Sequence, residues 1–313
     1  MNPQKHPVSL KRMLIAGPTA IGKSAVSLRL AQVMPVSIIS ADSRQCYRHL
    51  DIGTGKVLPH EMQGVRHYNI SELELHENDT AARFAERARH WEDEIRRENR
   101  LPVYVGGSTL HIQSVVWPLD EAPQACAPNL IKLRHQEQEN GEEFMLEWLE
   151  RVDPAYRQRV EGYNPHRVFR ALDVYLQTGK PFSSFHSEAG FSSLPEDTLL
   201  VVLTCNRAYL VDQIEQRINT MLQDGLLNET RSILDMGYTG EEQALQTVGY
   251  KEAIAHLRGE YDLETMREKM LTSTRRYAKR QVTWFKRWKA ARVIDVTRRA
   301  PDDVAAEIAS LVR

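Results

Sequence analysis

Apolar and polar positions along this chain follow two periods in alternation. Met13–Ala16 is a short unbroken apolar run, and Val26, Leu30 and Val33 follow it at three- and four-residue spacing, which predicts a strand, a loop and a helix. Val36–Ser40 (VSIIS), Leu101–Val105 (LPVYV) and Leu199–Thr204 (LLVVLT) are further β-branched or apolar runs of strand length. Between the second and third runs, Ala81, Phe84, Ala85, Ala88, Trp91 and Ile95 recur at helical spacing, with Asp79 or Thr80 as the cap. Strands separated by helices predict βαβ units, hence parallel strands with right-handed crossovers. The rhythm breaks from Trp117, where Pro118, Pro123 and Pro128 intervene and Asn129 to about Thr178 reads as almost wholly helical. Asn164-Pro165 opens a helix with Val168, Ala171, Leu172 and Tyr175 as its stripe and Gly179 beyond its end, and the loop Pro181 to Pro195 closes the segment. Tyr209 to Asp224 is a further helix, with Leu210, Ile214, Ile218 and Met221 inward and Gly225 as its stop.

The first strand–loop–helix carries the spacing that dictates chemistry. Gly17, Pro18, Thr19, Ala20, Ile21, Gly22, Lys23 and Ser24 (GPTAIGKS) fit the phosphate-loop pattern G-x-x-x-x-G-K-[ST]. Backbone N–H groups of such a loop cradle phosphate oxygens, Lys23 neutralises charge, and the Ser24 hydroxyl is placed to hold Mg²⁺. The helix opens beneath the anion, so its unpaired N–H groups and dipole favour a phosphate there. The fold class is therefore α/β, a P-loop NTPase-like parallel sheet flanked by helices over residues 1–116 and 197–313, with a helical insertion domain over 117–196. A nucleotide is the usual ligand of such a loop, but any diphosphate ester meets the same amides, lysine and metal. Ligands of open parallel sheets sit beyond the carboxyl ends of strands, so Asp42, just after Val36–Ser40, belongs beside the mouth of the loop unless it serves only as a cap. Gly106-Gly107-Ser108-Thr109 follows the next strand and offers amides and hydroxyls to the same cleft. Taken alone, Arg217 reads as a surface arginine at the edge of its helix stripe.

Charge changes the picture at one end. The formal net charge of the 313 residues is -1, yet between Arg267 and Arg299 twelve Lys/Arg face only Glu268 and Asp295. The helix with Arg275, Arg276, Tyr277, Lys279, Arg280, Trp284, Phe285, Lys286, Arg287 and Trp288 can pack aromatics inward and aim cations at a polyanion, or can present a solvated face. Cys46, Cys126 and Cys205 are isolated and suggest neither a disulfide frame nor a zinc site. No apolar run approaches the ~20 residues of a membrane span and no targeting segment is evident, so the expectation is a cytoplasmic protein without an obligate protein partner.

Six blocks in this order, GPTAIGKS, ISADSRQCYRHLDIGTGK, LPVYVGGS, HRVFRALDVYLQTGK, QTVGYKEA and RRYAKRQVTWFKR, resemble those of the tRNA dimethylallyltransferases (tRNA isopentenyltransferases) from about Met13 to Arg287. The resemblance implies transfer of a dimethylallyl group from dimethylallyl diphosphate to N6 of the adenine 3′ of the anticodon, position 37, in tRNAs reading codons that begin with U. It implies a P-loop α/β core and an insertion gripping the anticodon stem-loop, with Mg²⁺ as cofactor. By the same resemblance, Gly17 to Ser24 form the diphosphate site, Arg217 also contacts the diphosphate, Asp42 is the base for the adenine amine, and Ser108 stands where the family has threonine. Asp42, Ser43, Arg44, Gln45, His166, Arg167, Val168, Phe169, Arg170, Gln246, Thr247, Val248, Gly249, Tyr250 and Lys251 match its tRNA-contacting segments. Val65–Ile70 and Thr109-Leu110-His111 depart from the family pattern beside the expected prenyl and base pockets. The alternatives are a P-loop kinase of a small metabolite or nucleoside and an ATP-driven RNA-binding module. Against both, LPVYV ends in Gly-Gly-Ser where a Walker-B aspartate would stand.

Overall fold

The structure, a computed structural model, describes residues 10–117, 122–185 and 193–312. In chain order it runs β1 (Arg12–Ala16), α1 (Lys23–Val33), β2 (Val36–Ser40), β3 (His67–Tyr68), α2 (Ala81–Arg97), β4 (Leu101–Gly106), α3 (Thr109–Val116), α4 (Ala127–Val152), α5 (Pro154–Arg157) and α6 (Pro165–Thr178). After a 3₁₀ turn at Phe182–Phe185 come β5 (Thr198–Thr204), α7 (Arg207–Gln223), α8 (Leu226–Asp235), α9 (Tyr250–Leu257), α10 (Leu263–Phe285), β6 (Arg292–Asp295) and α11 (Pro301–Ser310). The chain divides into two compact units, Met1–Pro118 with Phe191–Arg313, and Leu119–Gly190.

The first unit is built on one six-stranded parallel sheet of order β3-β2-β4-β1-β5-β6. Its central strands are continuous apolar runs because both faces are covered. On one face Met13, Ile15, Val103, Val105, Val201 and Leu203 pack against Val26 and Leu30 of α1 and Val304, Ala305, Ile308 and Ala309 of α11. On the other, Leu14, Ala16, Ile39, Tyr104, Leu200 and Val202 meet Phe84, Ala88 and Ile95 of α2, Ile112 and Val116 of α3, and Phe285 and Trp288. Alternate residues thus serve opposite faces, and the register Met13–Val103 and Met13–Leu199 aligns the strand ends. The carboxyl ends of β1, β2 and β4 deliver the phosphate loop, Asp42 and the Gly106-Gly107 turn to one edge of the sheet. A further core, with Ile214, Ile218 and Met221 of α7, Leu226 and Ile233 of α8, Tyr250, Ala253 and Ile254 of α9, and Met266 and Met270 of α10, encloses Cys46, Tyr47 and Leu50.

The second unit is helical and holds its own core of Leu133, Met145, Leu149, Val160, Val168, Ala171, Leu172 and Val174. Asn164 caps α6 by accepting from Arg167 N, and Gly179 ends it in the left-handed conformation. The limits of this unit lie inside the 117–196 expected from the proline breaks, and the middle of the loop expected over 181–195, residues 186–192, lies outside the described residues.

Several elements differ from the periodic reading. Thr80, not Asp79, caps α2, accepting from Arg83 N. The basic helix ends at Phe285, and Lys286 and Arg287 continue as a turn. Strand β6 and helices α8, α9 and α11 were not expected, since each is short and half of β6 is charged. Val33, although in phase with Val26 and Leu30, is the last residue of α1 and is 58% exposed. Leu30→Ala should therefore lower stability by about 2–5 kcal/mol, whereas Val33→Ala on the same helix should stay within about 0.5 kcal/mol, as measured by denaturant unfolding.

Candidate active site at the phosphate loop

A cavity of about 540 Å³ opens over the phosphate loop, lined by Thr19–Ser24, Asp42, Gln45, Gly107, Arg217, Tyr277 and Gln281 among others. Gly17 and Pro18 lie behind this lining, and the Pro18 carbonyl accepts from Lys23 Nζ at 2.7 Å. Burial pushes the Lys23 ammonium down to about 7, against the pull of Asp42 and with the help of Arg217. The Arg217 guanidinium is likewise lowered by burial and raised by Asp42. Carried on α7, it donates to the Thr54 carbonyl at 2.6 Å, so the residue that reads as a surface arginine projects into the cavity.

The loop that receives Arg217 is braced from behind. The Glu229 carboxylate accepts from the amides of Asp51 (3.1 Å), Ile52 (2.9 Å) and Gly53 (3.3 Å), and from the Tyr250 hydroxyl. Lys56 Nζ is tied to the Tyr47 carbonyl, Asp51 and the Ser71 hydroxyl, so this lysine holds the loop shut instead of reaching a phosphate. Gly55 has φ +55°, and a Cβ there would stand 2.5 Å from an Arg217 nitrogen. Only glycine fits both the backbone and the guanidinium.

Asp42 serves two surroundings. Its Oδ1 accepts from the amides of Arg44 (2.9 Å) and Gln45 (3.4 Å), the capping role considered above, while no described residue hydrogen-bonds Oδ2. A second cavity, of about 320 Å³, is lined by Ser43, Arg44, Gln246, Thr247, Val248, Gly249, Lys251 and Arg280. It shares Thr19, Asp42, Thr54, Arg217, Met221 and Tyr277 with the first. The two chambers therefore share a wall that includes Asp42 and Arg217, with the phosphate loop and Lys23 on one side and the 246–251 segment on the other.

Other expected site residues take different places. Tyr250 is fully buried with its hydroxyl on Glu229 and the Gly53 amide, so it braces a loop and cannot face RNA. Val168 is fully buried and Phe169 is 8% exposed, both core residues of the helical unit. Arg170 is spent inside that unit on Asp173, the Pro123 carbonyl and the Phe182 ring, which leaves His166 and Arg167 as its exposed members. The Ser108 hydroxyl is paired with His111 Nδ1 at 2.7 Å and lines neither chamber. Behind it His111 reaches Asp79 at 3.5 Å, and Asp79 is held by Arg87 at 3.0 Å. Burial pushes the Asp79 carboxyl up, but the His111 hydrogen bond and the Arg87 guanidinium outweigh it and hold the carboxyl below its usual range. Periodicity offered no signal for this group, because its members come from three segments. Cys46 is fully buried and its thiol is pushed up to about 12 by burial and by Asp79 and Asp42, so it is inert filling.

Among the described residues no group of three His, Cys, Asp or Glu could hold a metal. The donor set at the loop, the Ser24 hydroxyl beside Lys23, fits a Mg²⁺ ion held mainly by substrate phosphates and water, the usual manner of that ion. No helix among the described residues is long and apolar enough to cross a membrane.

The chain is similar to known proteins in sequence and in fold. The family described as IPP transferase matches residues 45–288. The chain is 40% identical over 282 residues to the tRNA dimethylallyltransferase of Carboxydothermus hydrogenoformans, covering 90% of each chain. It is similar to the crystal structure of the full-length tRNA isopentenylpyrophosphate transferase of Bacillus halodurans, with a TM-score of 0.70, 31% identity and coverage of 96% and 95%. It also resembles a eukaryotic dimethylallyltransferase acting on tRNA, with a TM-score of 0.80 and 26% identity over 97% of this chain and 78% of the other.

An anion placed between Lys23 and Arg217 would favour the charged lysine. Lys23 sits near 7 in the fold against an ordinary 10.5, so between those values the unliganded chain holds it largely neutral. Binding of Mg²⁺-pyrophosphate at pH 8 should take up a proton, seen as a calorimetric enthalpy that changes with the ionisation enthalpy of the buffer. Lys23→Met should remove most of that dependence.

Proposed function

The chain belongs to the IPP transferase family, and from that footing we propose that it transfers a dimethylallyl group from dimethylallyl diphosphate to N6 of the adenine 3′ of the anticodon in tRNAs reading codons that begin with U. The observation that carries this is a wall, with Asp42 and Arg217 in it, shared by two chambers, one lined by the phosphate loop and the other by Arg44, residues 246–249, Lys251 and Arg280. Substrates entering from opposite sides would place the allylic carbon and the amine at that wall. The tRNA pool would make the cytoplasm its place of work.

As the carbon–oxygen bond to the diphosphate breaks, negative charge grows on the leaving pyrophosphate. The loop amides, Lys23 and Arg217 stabilise it there, in a cavity where solvent is partly excluded. Ser24 would hold Mg²⁺, which adds further charge stabilisation at the diphosphate. The new bond forms from the adenine N6 lone pair to the allylic carbon, and N6 becomes cationic. Asp42, anchored through Oδ1, has Oδ2 to take the proton that N6 releases. The amine is too weak an acid to be deprotonated beforehand, so the proton leaves with bond formation. A flipped base costs a few kcal/mol, less in a single-stranded loop than in a duplex. Arg275, Arg276, Lys279 and Arg280 on the exposed face of α10 are the groups we assign to tRNA phosphates, with His166 and Arg167 on the helical unit.

Asp42→Asn keeps size and hydrogen bonding but cannot accept the proton. Single-turnover transfer should fall about 10²- to 10⁴-fold while tRNA and diphosphate affinities change little; near-normal turnover would reduce Asp42 to its capping role. For tRNA, neutralising ~5 phosphates gives a slope of about -3.5 to -4.5 in log K against log[salt]. Replacing Arg275, Arg276 and Arg280 together should flatten it, and an unchanged slope would return these cations to a solvated face. ATP turnover to ADP would replace the whole reading with a kinase.

A further inference from the structure

Helix α10 reaches the phosphate loop through an uncharged side chain, Gln281. Gln281 is 3% exposed, and each of its two amide atoms meets a backbone group. Oε1 accepts from the Thr19 amide at 2.9 Å, inside the phosphate loop, and Nε2 donates to the Gly107 carbonyl at 2.7 Å, in the turn after β4. Both partners are backbone groups, so they admit only one orientation of the amide: an oxygen toward an N–H and an NH₂ toward a carbonyl. The packing around it is closed. A Cβ on Gly107 would lie 2.4 Å from Gln281 Nε2 and 3.3 Å from the Gly17 carbonyl, so the residue is glycine because the amide and the loop fill the space of a side chain. One turn earlier, Tyr277 lines both chambers, and Arg280 lines the one bounded by the 246–251 segment.

We infer that Gln281 is a positioning residue for the donor: it clamps the phosphate loop at Thr19 to the Gly106-Gly107 turn and so fixes the loop amides in the shape that receives a diphosphate. The inference rests on the reading of the phosphate loop as the donor site. A neutral amide suits the place. A carboxylate would set oxygen against the Gly107 carbonyl and bring negative charge beside the diphosphate, and an ammonium would leave the Thr19 N–H without an acceptor. Because the clamp is carried by the helix whose outer face holds Arg275, Arg276 and Lys279, the seat of that helix and the shape of the donor loop are one mechanical unit.

The test measures Mg²⁺-pyrophosphate binding by calorimetry, together with thermal unfolding, the donor KM, kcat and tRNA affinity, in the full chain. Gln281→Leu should weaken pyrophosphate binding and raise the donor KM about 10- to 100-fold, with a smaller change in kcat and an unaltered tRNA affinity. Gln281→Glu, which keeps the size and the acceptor for Thr19, should show the same defect and carries the test if the leucine variant does not fold. Gly107→Ala should reproduce it without touching Gln281, by displacing the amide. In a Gln281→Ala background the alanine at 107 should add no more than about twofold, since the group it displaces is gone. Folded Gln281 variants that bind pyrophosphate as the wild type does, or effects at 107 and 281 that simply multiply, would overturn the clamp alone. A wild-type protein that fails to bind pyrophosphate would remove the donor reading and the clamp with it.

Discussion

Lys23 and Arg217 share a half-buried cavity wall with one carboxylate, Asp42, and one of that carboxylate's oxygens is already spent on two backbone amides. Burial opposes the charged form of both cations, and a single acid does not compensate them. A cavity in that electrostatic condition is completed by an anion. The fold sustains the condition by geometry: the parallel sheet brings the phosphate loop and Asp42 to one edge, α7 after β5 supplies Arg217, and the 51–56 loop that catches its guanidinium is held by Glu229 and Lys56. If that loop loosened, Arg217 would lose its Thr54 partner and the wall would lose its shape.

The same arrangement divides labour between neighbouring groups. In the proposed reaction, charge on the leaving diphosphate would be met by Lys23, Arg217 and the loop amides, while proton removal would fall to Asp42 on the wall that both chambers share. These two tasks need opposite signs within a short distance. Placing the acid after β2 and the cations on α1 and α7 lets separate elements set their positions. The small formal net charge conceals a second division, because the basic face of α10 looks outward while its Met266, Met270, Ala278, Gln281 and Phe285 are buried.

What the sequence made legible follows from how local each signal is. The phosphate loop, the β1, β2, β4 and β5 runs and the α2 stripe each lie within one short window, and they appear where periodicity puts them. The place of Asp42 could be foreseen because a parallel sheet has only one end at which ligands collect. Arg217 could not be placed from its own helix; its orientation depends on a loop more than 150 residues away in sequence, and only the family resemblance singled it out. Motif matching also over-reached. Neighbours of exposed residues in a matched block, Val168, Phe169 and Tyr250, are buried, because a helix turns every third or fourth residue of any contacting stretch toward its core. The hydrogen bonds of Gln281, of Glu229 and of the Ser108–His111–Asp79–Arg87 group had no sequence signal, even where a residue lay in a matched block as Gln281 and Ser108 do, since bonds between distant segments have no period.

The account stands most directly on one product. An anticodon stem-loop RNA carrying adenine 3′ of its anticodon, incubated with the protein, dimethylallyl diphosphate and Mg²⁺, is digested to nucleosides and analysed by mass. The account predicts RNA heavier by one dimethylallyl unit, localised to N6 of that adenine, with release of one pyrophosphate per modified base. Unmodified RNA in a preparation that binds both substrates, or a phosphoryl group transferred from ATP in place of the prenyl group, would contradict it.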